Sequence, residues 1–193
     1  TLITDTHEMS KAQTQLRLER MEEVLSSDGH VALADRLEGA HRAVWHRCHE
    51  LYWSRDEDIP SRRQIEHLLE ELELDPGSFS ETALSALEDA YATAAVEIPP
   101  AVVDGAAEVL AALKQRGFGV GLISNTGRTP GCALREILAR AGLARFIDVM
   151  VFSNEHGECK PRQAIFEELR RGLGVAYEEM MFVGDNPYVD VHG

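Results

Sequence analysis

Val120-Gly121-Leu122-Ile123-Ser124-Asn125-Thr126 is a short apolar run that breaks off into two hydroxyls and an amide. Four apolar or small residues bounded by turn-forming side chains read as a buried strand. Upstream, Ala106, Val109, Leu110 and Leu113 form a helical stripe ended by Gly117. Downstream, Leu134, Ile137 and Leu138 mark a helix that stops at Gly142, and Val149-Met150-Val151-Phe152 is a second strand. Pro161 fits the first turn of a further helix carrying Ile165, Phe166 and Leu169. Met180-Met181-Phe182-Val183 is expected to be a third strand. Strand and helix alternating through short connections predict an α/β fold with a parallel sheet wrapped by helices. In such sheets the chemistry lies just past the carboxyl ends of the strands.

Before about residue 98 the texture is helical throughout. One helix is predicted over roughly 10–25, stopped by Ser26-Ser27-Asp28-Gly29, and a long charged one over roughly 31–53. A third opens near Ser61, with Ile65, Leu68, Leu69 and Leu72 on one stripe, and ends at Asp75-Pro76-Gly77. A fourth follows an N-cap at Ser80 or Thr82 and reaches about Val96. Ile98-Pro99-Pro100 then breaks the helical pattern.

Lys and Arg number 19 against 33 Asp and Glu, a net charge of −14. Such a surface repels nucleic acid and anionic lipid, so neither is expected as a partner. It also repels a phosphorylated metabolite unless a metal or a local cation reverses the field. No apolar run is long enough to span a bilayer, and Thr1–Ser10 has neither the basic nor the apolar region of a secretory signal. Cys48, Cys132 and Cys159 are odd in number and widely spaced. That pattern suggests reduced thiols and a cytoplasmic location.

The ends of the three expected strands carry distinct chemistry. Ser124-Asn125-Thr126 offers hydroxyls and backbone N–H groups to phosphate oxygens. Lys160, directly before Pro161, is a compact point charge for a phosphoryl group or a carboxylate. In Gly184-Asp185-Asn186-Pro187-Tyr188-Val189-Asp190 the glycine permits a sharp turn, and two carboxylates five apart can share a hard cation such as Mg²⁺. Together these make a Mg²⁺-assisted phosphoryl site in which no nucleophile is in view.

The layout resembles the haloacid dehalogenase-like hydrolase superfamily. Leu122 to Thr126 resembles its second motif, Glu158-Cys159-Lys160-Pro161 its third, and Val183 to Asp190 its acidic fourth. The resemblance implies a Rossmann-like parallel-sheet core with an inserted α-helical cap. Residues 1–11 would start the core, 12–98 would form the cap that selects substrate, and 99–193 would complete the core. Trp45, His46, Trp53 and Arg55 are cap residues that could line the pocket or pack within the bundle.

The resemblance further implies a Mg²⁺-dependent phosphomonoesterase acting on a small phosphorylated metabolite through an aspartyl-phosphate. Asp185 would bind Mg²⁺. Asp190 would bind it directly or through water, or orient Lys160. Ser124 Oγ and the Asn125 N–H would hold a phosphoryl oxygen, and Lys160 would neutralise its charge. Thr1 resembles the last residue of the family's first motif, so the nucleophilic aspartate is expected just before residue 1, in a natural chain longer than this sequence. Two other functions compete. One is metal-independent 2-haloacid dehalogenation, disfavoured because two acids without a cation repel a carboxylate substrate. The other is a non-catalytic binding or regulatory module.

Overall fold

The computed structural model describes residues 1–31 and 33–191. Strand β1 (Ile3–Thr4) leads into four helices: α1 (His7–Ser27), α2 (Ala34–Leu51), α3 (Ser61–Glu71) and α4 (Glu81–Glu97). Strand β2 (Ala101–Val102) leads out and pairs antiparallel with β1, Ile3 opposite Val102. The chain therefore enters and leaves the helical bundle at one place. Gln13 clamps the two leads, its Nε2 donating to Asp5 Oδ1 and to the Ile98 carbonyl, each at 2.9 Å.

Helix α1 begins three residues before its predicted start because Thr6 caps it, Oγ1 accepting from Met9 N at 3.1 Å. Ser80 caps α4 in the same way through Ala83 N. The stripe Ile65, Leu68, Leu69 and Leu72 is buried and meets Met21, Leu25, Val44, Cys48 and Leu87 in one apolar core. These residues hold the bundle together by apolar burial.

The second half carries α5 (Ala106–Gln115), β3 (Gly121–Ser124), α6 (Gly131–Arg140), β4 (Val149–Phe152), the short α7 (Ser153–His156) and α8 (Gln163–Leu173). Strands β3 and β4 pair in parallel, Gly121 opposite Val149 through Ser124 opposite Phe152. One sheet face is covered by Ile165, Phe166 and Leu169 of α8. The other faces Leu110, Leu138 and Leu143. Helices on both faces of a parallel pair give a Rossmann-like α/β core with an inserted helical bundle. Gly121 is required for the close approach of α8, since a Cβ there would come within 2.7 Å of Leu169 Cδ1.

Two expectations are corrected. Met180–Val183 is extended but forms no ladder, with Met181 and Val183 88% and 80% exposed. A strand requires a neighbour to take its backbone bonds, and among the described residues none lies beside this segment. It is anchored instead by side chains, Met180 against the α8 cluster and Phe182 edge-on to Phe166 at 5.2 Å. Pro161 does not open α8 either: Arg162, with an extended backbone, is the N-cap and the helix starts at Gln163. No helix among the described residues is long and apolar enough to cross a membrane.

Candidate active site

The loop after β3 and the segment after β4 are braced by one amide. Asn125 Nδ2 donates to the Lys160 carbonyl at 3.0 Å, and Lys160 N donates to Asn125 Oδ1 at 2.9 Å. This fixes the backbone from which the Lys160 side chain departs. Its Nζ donates to Asp190 Oδ1 at 2.6 Å, with the two side chains only 12% and 5% exposed. Asp190 Oδ2 accepts from Asn186 N at 2.9 Å, and Asp190 N closes a helical turn onto the Asn186 carbonyl. Burial pushes the Asp190 carboxyl up. The Lys160 ammonium and the backbone donors outweigh it and hold the group below its ordinary value. Gly184 leaves room for this pair, because a Cβ there would fall on the Asp190 carboxyl.

Ser124 ends β3, next to Asn125. Asp185 makes no bond to Lys160 and contacts Thr1 instead. Its side chain is 75% exposed, its Oδ1 accepts from the Thr1 hydroxyl, and Thr1 N lies 3.5 Å from the same oxygen. The Thr1 hydroxyl holds the Asp185 carboxyl below its usual range. The structure thus joins Asn125, Lys160 and Asp190 directly, and sets Asp185 beside Thr1. Among the described residues no three His, Cys, Asp or Glu side chains form a metal cage. The two aspartates nonetheless fit a hard cation that takes few carboxylates and fills its shell from water and substrate.

The sequence reading missed Asp58. This buried carboxylate on the α2–α3 connection accepts from Trp53 Nε1 (2.7 Å) and Ile59 N (2.8 Å) within the bundle. It also accepts from Thr126 Oγ1 (3.1 Å) and Ser153 Oγ (2.5 Å) at the ends of β3 and β4. Ser153 Oγ in turn accepts from Thr126 N at 2.8 Å. One acid therefore ties the bundle to the loop that follows Ser124 and Asn125. Further contacts reinforce the junction: Gln64 Nε2 donates to the Gly127 carbonyl at 3.0 Å, and the backbones of Glu57 and Glu158 pair in an isolated antiparallel bridge. Of the suggested lining residues, Trp53 bonds Asp58 and Trp45 packs on Trp53, ring centroids 4.6 Å apart.

A parallel α/β core bearing a helical insertion, with an ordered lysine–aspartate pair beyond its strand ends, is the architecture of a capped hydrolase. The chain belongs to the haloacid dehalogenase-like hydrolases, whose family model matches residues 1–193. It is 39% identical over 84 residues to the phosphoserine phosphatase of Thermus thermophilus, covering 44% of this chain and 32% of that one. It is 33% identical over 122 residues to the ribulose-1,5-bisphosphate 5-phosphatase of Halopiger xanaduensis, covering 63% and 49%. The matches thus span about a third to a half of the length of these curated relatives. Among solved structures, a candidate beta-phosphoglucomutase from Thermotoga maritima has the same fold, with TM-score 0.54 and 22% identity over 97% of this chain and 74% of that one.

Proposed function

We propose that the protein is a Mg²⁺-dependent phosphohydrolase of small phosphorylated metabolites, working through an aspartyl-phosphate. The observation that carries this reading is the buried Lys160–Asp190 pair, braced by Asn125 at the end of the strand that delivers Ser124. The naming of curated relatives as phosphatases supports it.

In this reading Asp190 is a positioning residue. It holds the Lys160 ammonium where charge builds on a phosphoryl oxygen, and so the lysine needs no reorganisation during reaction. Ser124 Oγ and the Asn125 N–H hold a second such oxygen. Asp185 and Asp190 are the residues that would hold Mg²⁺, which when bound would supply further neutralisation of the phosphoryl charge. The aspartyl-phosphate of this reading is what membership of the family implies, and Thr1, which resembles the last residue of the family's first motif, contacts Asp185, the acid proposed to hold the metal. Residues 12–98 act as the cap, and Asp58 registers the cap on the phosphate-binding loop.

The test is phosphate release from a panel of small phosphomonoesters by the full-length protein, with and without Mg²⁺. Release is expected only with the metal. Asp185→Asn should lower it by about 10²-fold or more while circular dichroism stays unchanged. Near-normal turnover by that variant, or metal-independent halide release from a 2-haloacid, overturns the reading.

A further inference from the structure

Most arginines of this acidic protein meet carboxylates at or near its surface, as Arg62 does with Glu81 and Glu88 and Arg135 with Glu155. Two do not. Arg17 of α1 is 3% exposed, and its Nε donates to the Tyr91 carbonyl at 2.7 Å while the guanidinium lies 5.0 Å from the Tyr91 ring centroid. Arg128, four residues after Ser124 on the β3 loop, lies 4.4 Å over the Trp45 ring and close enough to Tyr91 for the two to act on each other electrostatically. Among the described residues neither forms an ion pair, and only the more distant Asp5 acts on Arg17 as an opposite carboxylate charge.

The neighbours supply no negative charge. Tyr91 donates its hydroxyl to Gln64 Oε1 at 2.9 Å, and burial pushes it up to about 12, so it stays neutral. Cys48 is pushed up to about 11, again first by burial. His41 of α2 is 4% exposed, and its buried Nε2 has no hydrogen-bond partner among the described residues. Two withdrawn guanidiniums and an orphaned ring nitrogen therefore share one place without a counter-ion. Buried charge left unpaired is costly, and so is a buried polar atom left unbonded.

We infer that Arg17, Arg128 and His41, gathered around Tyr91 at the junction of bundle and core, form a binding subsite for a small anion, a carboxylate or phosphate group. Its place on the loop that carries Ser124 and Asn125 makes the anion a second acidic group of the phosphorylated substrate. That last step rests on the phosphohydrolase reading, whereas anion capture itself does not.

The two tryptophans of the chain report on the site: Trp45 lies beneath Arg128, and Trp53 packs against Trp45 with the rings tilted by 57°. Titrating the full-length protein with malonate should give a saturable change in tryptophan fluorescence and a rise in melting temperature. Arg128→Gln and Arg17→Gln should each weaken the response roughly tenfold to hundredfold, and Lys160→Met should leave it in place. Arg128 lies on a loop, so its variant keeps the test meaningful if Arg17→Gln fails to fold.

The kinetic arm compares 3-phosphoglycerate with glycerol 3-phosphate, which lacks the carboxylate. Arg128→Gln should raise KM for the first and spare the second, and malonate should compete with the first. Malonate binding without competition identifies a free effector anion and overturns the substrate assignment alone. Absence of any saturable malonate response, or a response unchanged in both arginine variants, overturns the subsite. A protein without phosphatase activity that still binds malonate through Arg128 refutes the proposed function and leaves the subsite standing.

Discussion

At the residue scale, Asp58 and Asp190 do similar work, each holding donors that approach from separate parts of the chain. Asp58→Ala strands the indole of Trp53, the Ile59 N–H and two hydroxyls at a buried junction. The expected loss is about 3 kcal/mol in denaturant unfolding, since hydrogen bonds to a charged group are among the stronger ones. Gly184→Ala acts differently. It pushes the Asp190 carboxyl off Lys160, so phosphate release should fall by at least about tenfold while the denaturation midpoint moves little. Asp58 was illegible in the sequence because its partners Thr126 and Ser153 are 68 and 95 positions away. Lys160 and Asp190, which the structure pairs, could be singled out in the sequence because each follows an apolar run. Arg17 and Arg128 were not, for a lone arginine in a charged sequence reads as solvated surface.

At the scale of elements, the helices and the pair β3–β4 could be read from the chain because their signals are local: an apolar period, a cap, a breaker. The Thr6 and Ser80 caps show how much one side chain decides at a helix start. Ser80→Ala should cost about 1 kcal/mol, measured by chemical denaturation. The stripe on α3 is a stronger determinant. Leu68 is 1% exposed at the centre of the bundle core, and Leu68→Ala should cost roughly 2–5 kcal/mol in the same measurement. The segment Met180–Val183 marks the limit of such reading, because its apolar run announces a strand whereas pairing depends on a neighbour that local sequence cannot supply.

At the scale of the whole molecule, charge and burial set the response to acid. His41 is held near 3, first by burial and then by Arg128 and Arg17, against an ordinary value of 6.5. Below pH 6.5 the unfolded chain takes a proton that the folded one refuses, so stability falls as pH drops from about 6.5 toward 3. His41→Gln should flatten that part of the stability–pH curve relative to wild type, as read from thermal unfolding at a series of pH values. The net charge of −14 remains a property of the exterior. Most acidic side chains lie outward, while the two guanidiniums of Arg17 and Arg128 are drawn inward.

The paired leads β1 and β2 give the bundle a single doorway, with Ile3 and Val102 shoulder to shoulder. A module hung on one such threshold can be exchanged for another, or trimmed to a short bridge, without rethreading the sheet. Selectivity could then diversify by transplanting the helical unit while the reacting machinery beneath it stays the same.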